Sequence, residues 1–543
     1  MLSRLSMQRP QSQRNPPNPG NGDDERSPLL AHGLRESRQE DKASKLWNRK
    51  TYTFALIVAL VILFNGGNTV QEAPKTRLFE SIFCSHFYRD HDPSFIGQDG
   101  TVPERFCKVE PVQSDVAMLK GWQVFLDNIP SILLAIPFGI LADKYGRKPI
   151  MLLNSIAFCL RVSWIMLVCH FWQTIPVRWI WLSAFHGLLG GSSPVITSMI
   201  FVMTSDIVPD NQRSTTFFWV GGCALGTLGV GQPLSALLME RSPWVPMWLG
   251  LGLSILAVIV SCILPETLHM REKRLPLGLR HESPDSLSLK DDDAQGLFQR
   301  AKLAARRFVK AASFLVKDMR VFILLCCFMI GMLTLESNNI LLQYVSKRYD
   351  WSLSQATLFL SIRYVLNVFL LIVLLPLAGR ALQSGLHLSA AAKDLWLGRA
   401  GILLKLFGYL VIGAAPNVPL LGIGLVLLVS GGGTLLCMRS LITSLVEPHH
   451  IARLYNAISV LDTLGLMTGG PIMAACFQWG MRAGGGWVGL PFWFCGLLVA
   501  PVGVALWLLS FPEAGRRADG EEGRIAETPS AVEDPEGFMT ESP

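Results

Sequence analysis

Twelve apolar stretches, each close to the length that crosses a lipid bilayer, recur along this chain of 543 residues. A hydrocarbon core takes about 20 apolar residues as an α-helix, because a helix satisfies its own backbone hydrogen bonds where no water can. The first six stretches lie near 51–72, 116–141, 149–170, 179–204, 215–239 and 245–265. The second six lie near 321–344, 353–378, 395–415, 418–445, 454–478 and 487–510. The pattern predicts an all-α membrane protein with twelve transmembrane helices in two pseudo-symmetric six-helix bundles, 51–267 and 321–510. Residues 1–50 and 511–543 read as disordered cytosolic tails, 74–115 as an outer loop and 268–320 as a cytosolic central loop. Only 16% of residues are charged, against about 25% in soluble domains, so lipid is the expected solvent.

Charge placement sets the orientation. Loop 268–320 holds twelve Lys/Arg against seven Asp/Glu, whereas loop 74–115 holds five against seven, and the positive-inside rule puts the former in the cytosol. An even number of spans then puts both tails there. The N-terminal 50 residues lack the apolar core of a cleaved signal peptide. The net charge of +7 comes from basic residues between the spans, with no aromatic-interleaved patch, so nucleic acid is not an expected partner.

Nine of the eleven cysteines fall in or at the ends of apolar spans, where they serve as small packing residues. Cys84 and Cys107 share the one long non-cytosolic loop, where a disulfide is allowed; the alternative is a pair of free thiols. No phosphate-binding loop, hydrolase elbow, dinucleotide fingerprint or paired metal-ligand motif stands outside the apolar background, so neither an enzyme nor a cofactor or metal is expected.

The halves repeat at an offset of about 240 residues, as in transporters built from two related bundles. Pro137 matches Pro376, Gly190-Gly191 matches Gly431-Gly432, and Gly231-Gln232-Pro233 matches Gly469-Gly470-Pro471. Asp206 through Arg213 corresponds to Glu447 through Arg453, and Leu264-Pro265-Glu266 to Phe511-Pro512-Glu513.

Between the second and third spans runs Gly139-Ile-Leu-Ala-Asp143-Lys-Tyr-Gly146-Arg147-Lys148-Pro149. It resembles the signature loop of the major facilitator superfamily, and the resemblance extends over about 51–513. It implies a cytosolic latch of Gly139, Asp143, Gly146, Arg147, Asp206, Arg213, Glu447 and Arg453 that opens and closes during alternating access. Within it, Gly139 would allow close helix approach, Asp143 would face the N-terminal end of the eleventh span, and Arg147 would pair with Asp206. The second half keeps Gly379-Arg380 but lacks the acid, so the latch should be asymmetric.

The first outer loop, Ala73-Pro-Lys-Thr-Arg-Leu-Phe-Glu-Ser-Ile-Phe-Cys84 with Cys107-Lys108 and Val112-Gln113-Ser114, resembles fungal major facilitator proteins of secondary-metabolite pathways, distantly related to proton-coupled folate carriers. The fifth span, Gly221 to Pro233, resembles in part the Gly/Pro signature of drug-proton antiporters. These likenesses imply a monomeric carrier of a small organic substrate, coupled to protons and directed towards efflux. Proton-linked uptake and a non-transporting sensor remain as alternatives.

Ionisable residues inside spans cost about 2.5–3.5 kcal/mol each on insertion scales and call for a partner or a role. The resemblance makes the first, fourth, seventh and tenth spans line the cavity. Candidates for substrate or proton binding are then Glu336, Asn338 and Asn339 in the seventh, His186 in the fourth, and Asn65 and Asn68 in the first, with Asp127 and Arg363 nearby. Glu336 is either the proton carrier or one half of a fixed pair with Arg363. Asp127 is a structural acceptor or a carrier, and His186 a titrating or a packing histidine. Arg439 and Asp462 lie at one depth from the cytosolic face, as an intramembrane ion pair would. Arg161 and Lys405 occupy repeat-related peripheral positions, where structural pairing or snorkelling is expected. Efflux favours the plasma membrane, while Glu25 through Leu29-Leu30 has the dileucine spacing of vacuolar or endosomal sorting.

Overall fold

The computed structural model describes residues 26–97, 100, 102–208, 210–268, 319–386, 390–445 and 451–508, with side chains from Arg49 onward. Some further side chains, among them those of Asp143, Arg213 and Arg453, fall outside the described set. Two compact units divide between Ala55 and Leu56. In the first, the backbone is helical from Arg26, well inside the segment expected to be a tail. The second holds the remaining helices.

The helices in chain order are α1 (Arg26–His91), α2 (Glu110–Tyr145), α3 (Arg147–His170), α4 (Ser183–Gly190), α5 (Ser192–Ile207), α6 (Asp210–Met239), α7 (Trp244–Ile263) and α8 (Met319–Leu335). They continue with α9 (Ser337–Arg348), α10 (Leu353–Phe369), α11 (Leu375–Leu386), α12 (Ala390–Ala414), α13 (Val418–Ser430), α14 (Thr434–Leu445), α15 (Ile451–Ala483) and α16 (Leu490–Leu508). No strand occurs among the described residues. Ten helical stretches are long and apolar enough to cross a membrane, and α2 and the α10–α11 pair are the second and eighth of the twelve spans.

Several spans break where the sequence cannot sustain a straight helix. The fourth divides into α4 and α5 at Gly191, whose φ of +81° suits glycine alone at little cost. The seventh divides into α8 and α9 at Glu336. The tenth passes through a 3₁₀ turn at Gly431–Gly433 between α13 and α14. In the eighth, Pro376 has no N–H to return to the preceding turn, and a π-helical turn at Leu370–Leu374 absorbs the mismatch.

Within the N-terminal half, α3 packs on α4, α5 and α7; within the C-terminal half, α12 packs on α13, α14 and α16. The halves meet along two seams, α2 against α15 and α6 against α10. Glycines make the first seam close: a Cβ on Gly121 would stand 2.7 Å from the Gly470 carbonyl, and one on Gly470 would stand 2.6 Å from that of Gly121. The large apolar core of the C-terminal half takes in Ala73, Ala117 and Met239 from the outer parts of the first, second and fifth spans. Leu353 and Ser354 add polar contacts here, the amide of Leu353 to Glu104 Oε1 at 2.7 Å and the hydroxyl of Ser354 to the Ala236 carbonyl at 2.7 Å. The halves are thus joined at the end that carries residues 74–115.

The segment expected as a loop at 74–115 is largely helical, because α1 runs on to His91 and α2 starts at Glu110. Charge pairs one turn apart, Lys75–Glu72 at 2.7 Å and Arg77–Glu80 at 3.0 Å, support the extension. A small core of Cys84, Val102, Cys107 and Val112, flanked by Phe83, Phe87, Tyr88 and Phe106, anchors it.

Candidate functional site

Lys120 lies in the outer part of α2, where its ammonium is buried among groups from both halves. It is 3.2 Å from Glu72 Oε1, donates to Thr76 Oγ1 at 2.9 Å, and reaches the Asn339 main-chain carbonyl across the seam at 3.5 Å. Asn339 in turn donates from Nδ2 to Glu336 Oε2 at 2.6 Å. Glu336 is 8% exposed, and a Cβ on Gly469 of α15 would stand 2.9 Å from its Cγ. Glu72, Lys120, Asn339 and Glu336 thus form one polar chain from the first span, through the second, to the break in the seventh. Lys120 and Glu72 were not among the expected site residues. Lys120 is a charge inside an apolar run, Met118-Leu119-Lys120-Gly121, and the insertion-cost argument that marks Arg363 marks it too.

Glu336 is not paired with Arg363. The Arg363 guanidinium donates from Nη1 to Asn338 Oδ1 at 2.8 Å and from Nη2 to the Tyr364 hydroxyl at 2.8 Å. Helical geometry explains the exchange: Asn338 and Glu336 are two residues apart and cannot share one face of the seventh span. Asn65 spends its amide on the Val61 carbonyl at 2.8 Å, while Asn68 is exposed on the first span. His186 Nδ1 stands 3.2 Å from the Ser183 carbonyl, with Trp164 as a ring neighbour at 6.2 Å, a local packing arrangement.

Two further ion pairs join neighbouring helices within their apolar stretches. Arg161 of α3 meets Asp127 of α2 at 2.5 Å, which makes Asp127 a salt-bridge partner of the third span. Arg439 of α14 meets Asp462 of α15 at 2.7 Å, with the arginine side chain 39% exposed and its guanidinium 5.7 Å from the Phe328 ring centre.

At the end that carries the signature loop, Arg147 Nε lies 3.7 Å from Asp206 Oδ2, and Thr267 donates to the same oxygen at 3.3 Å. Glu266, at the end of the sixth span, accepts from the amides of Arg147 at 2.9 Å and Lys148 at 3.1 Å, so it caps the N-terminus of α3. Burial pushes the Glu266 carboxyl up, but the amides of Leu268, Arg147, Lys148 and Thr267 together hold it below its ordinary range. Gly146, with φ of +106°, packs against this carboxylate and leaves no room for a side chain. Gly139 does not provide the expected close approach: among the described residues nothing lies within 4 Å of where its Cβ would be. The tight glycine of the signature is Gly146, because the chain reverses there. Glu447 lies outside the described residues, as do the side chains of Asp143, Arg213 and Arg453. In the fifth span Gly221, Gly222, Gly226 and Gly229 likewise meet nothing within 4 Å, whereas Gly231 abuts Thr69 of the first span at 3.0 Å.

Between α1 and α2, Cys84 and Cys107 are joined in a disulfide, with Cα atoms 5.3 Å apart. Lys108 bridges Glu80 at 2.7 Å and Glu104 at 3.0 Å, and Arg77 reaches Glu104 at 3.2 Å. Burial raises the Glu104 carboxyl, but Lys108, Arg77 and the Leu353 amide more than offset it and hold the group below its ordinary range. The disulfide-braced cap of the N-terminal half therefore presents an anion to the first turn of α10 in the other half.

Known proteins share this architecture. The Major Facilitator Superfamily pattern matches residues 116–437. The MFS efflux pump atnC of Emericella nidulans is 33% identical over 461 residues, covering 84% of this chain and 88% of that protein. Efflux pump ustT of Aspergillus flavus is 27% identical over 439 residues, covering 79% and 83%. The crystal structure of the nucleoside transporter NupG superposes with a TM-score of 0.56 at 13% identity, over 85% of this chain and all of that one, a likeness of fold alone. Signature loop, all-helical fold and relatives agree: this chain is a multi-pass membrane transporter, not an enzyme, and it belongs to the major facilitator superfamily.

Proposed function

We propose that the chain exports a small, largely apolar organic solute in exchange for protons, and that Glu336 carries the proton. The observation behind this is the place of Glu336: a buried carboxyl at the break of the seventh span, bonded by the neutral Asn339 amide and linked through that residue to Lys120 on the opposite half. A carboxyl at such a place changes its charge balance with every proton it takes or gives. Ionised, it adds to the pull on Lys120 across the outer seam; protonated, it withdraws that pull. Protonation is thereby tied to the closure of the outer end, which is what coupled exchange needs.

The direction is supported by relatives whose names are efflux pumps, at 33% and 27% identity. Export places the protein in the plasma membrane, acting as a monomer. The Arg147–Asp206 contact and the Glu266 cap act as the inner latch, with Asp143, Arg213, Glu447 and Arg453 completing it when the inner end closes.

The test is flux in proteoliposomes. A solute identified by comparing metabolites retained by cells with and without the protein should accumulate against its gradient only when a pH gradient is imposed. Accumulation indifferent to that gradient would refute proton coupling.

A further inference from the structure

Three cations deep in the spans are matched by carboxylates: Arg161 by Asp127, Arg439 by Asp462 at 2.7 Å, and Lys120 by Glu72 at 3.2 Å. Arg363 departs from this pattern. Its two described bonds go to neutral acceptors, Asn338 Oδ1 and the Tyr364 hydroxyl, both at 2.8 Å. Its guanidinium also lies 4.8 Å from the Tyr364 ring centre. A guanidinium has five N–H donors, so three remain without a described partner, and no carboxylate lies within ion-pair distance among the described residues.

The position gives that unmatched charge a purpose. Arg363 is ten residues into α10, about 15 Å from its outer end at a rise of about 1.5 Å per residue. One face of it meets Asn338 of the seventh span. One turn further along α10, Asn367 Oδ1 lies 3.8 Å from where a Cβ on Gly432 would be, in the broken tenth span. Arg363 therefore stands on a surface between the two interrupted spans of the C-terminal half. It is partly exposed there, and its partner Asn338 donates from Nδ2 to the carbonyl of the exposed, apolar Leu335 at 2.8 Å.

We propose that Arg363 recognises an ionised acid on the transported solute, a monocarboxylate carried by an otherwise apolar molecule. This rests on the reading of the chain as a solute exporter. The fork of a guanidinium fits a planar carboxylate through two parallel N–H bonds. Asn338 and Tyr364 hold the fork in place without neutralising it. One positive charge balances a monoanion, whereas a phosphate dianion would leave a net charge at membrane depth. Lys405 also lacks a described carboxylate, but its stem packs behind Gly431 on the peripheral α12, so it does not share this surface.

The experiment uses the full chain in two arms. Metabolite profiling of cells with and without the protein identifies what it moves, and the proposal expects solutes that are anionic at neutral pH. In proteoliposomes, 1-naphthoate should compete with that solute while 1-naphthamide should not. Arg363→Gln should lose about 1.5–3 kcal/mol of charged hydrogen bonding, roughly tenfold to a hundredfold in apparent affinity. Arg363→Lys, which keeps the charge, should retain part of it and so separates recognition from folding. Neutral or cationic solutes, or unchanged naphthoate competition in Arg363→Gln, would overturn the anion site and leave export standing. No transported solute in either arm would overturn export itself.

Discussion

Lys120 of the second span reaches across the seam between the halves to within 3.5 Å of the Asn339 carbonyl in the seventh. The same ammonium is held on its own side by Glu72 and Thr76. The seam is thus polar at Lys120 and glycine-tight beside it, where Gly121 and Gly470 bring α2 and α15 together.

That seam should respond to size. Gly121→Leu meets the Gly470 carbonyl and Ala474 and should disfavour the outside-closed state by about 1–3 kcal/mol. A cysteine introduced at Asn68 should then react faster with a membrane-impermeant thiol reagent added from outside. Unchanged labelling would mean that the seam does not govern access to the first span.

Glu336→Gln preserves size and the Asn339 contact while fixing a neutral side chain. It should abolish pH-driven accumulation in proteoliposomes yet leave solute exchange at equal pH largely intact. Wild-type accumulation in this variant would exclude Glu336 as the proton carrier.

At the inner end, Arg147→Ala should remove most transport while leaving protein in the membrane, since in the proposed latch the contact with Asp206 biases a conformational equilibrium. The exchange Arg147→Asp with Asp206→Arg should recover part of the flux. Full transport by Arg147→Ala would show that the contact is not a latch.

For Arg439 and Asp462 the expectation concerns folding. Neutralising one partner of a buried pair costs about 3–5 kcal/mol and of an exposed pair about 1 kcal/mol or less; with Arg439 39% exposed, the loss should fall between. Thermal melting of purified Asp462→Asn should show this, with partial recovery when Arg439→Gln is added. If the double variant melts no higher than the single one, the pair is not a coupled unit.

The outer cap should be sensitive to oxidation state and to acid. Peptide mapping without reductant should recover Cys84 linked to Cys107, and Cys84→Ser should destabilise the protein by about 2–4 kcal/mol. Glu104 has a depressed carboxyl, so its stabilising contacts are present above the ordinary carboxylate pKa of about 4 and are lost as pH falls through its lower folded value. The melting difference between wild type and Glu104→Gln should accordingly be constant near neutrality and shrink in strong acid. A difference that grows on acidification would contradict this sign.

Bilayer thickness and the cost of charge in hydrocarbon act on every residue in order along the chain, so the spans, the repeat and the family were legible in the residues alone. The signature loop and the Arg439–Asp462 pairing were legible for the same reason: depth can be counted from the membrane face. Lateral neighbours cannot be counted in this way; they follow from how the helices pack in three dimensions. Asp127 finds Arg161, Arg363 finds Asn338 and not Glu336, and Glu266 reaches back 119 residues to cap the third span. Each choice depends on which helix faces which at a shared depth. The outer segment escaped for a further reason: its charges resemble a solvated loop until pairing among Glu80, Glu104, Arg77 and Lys108 makes them the interior of a cap.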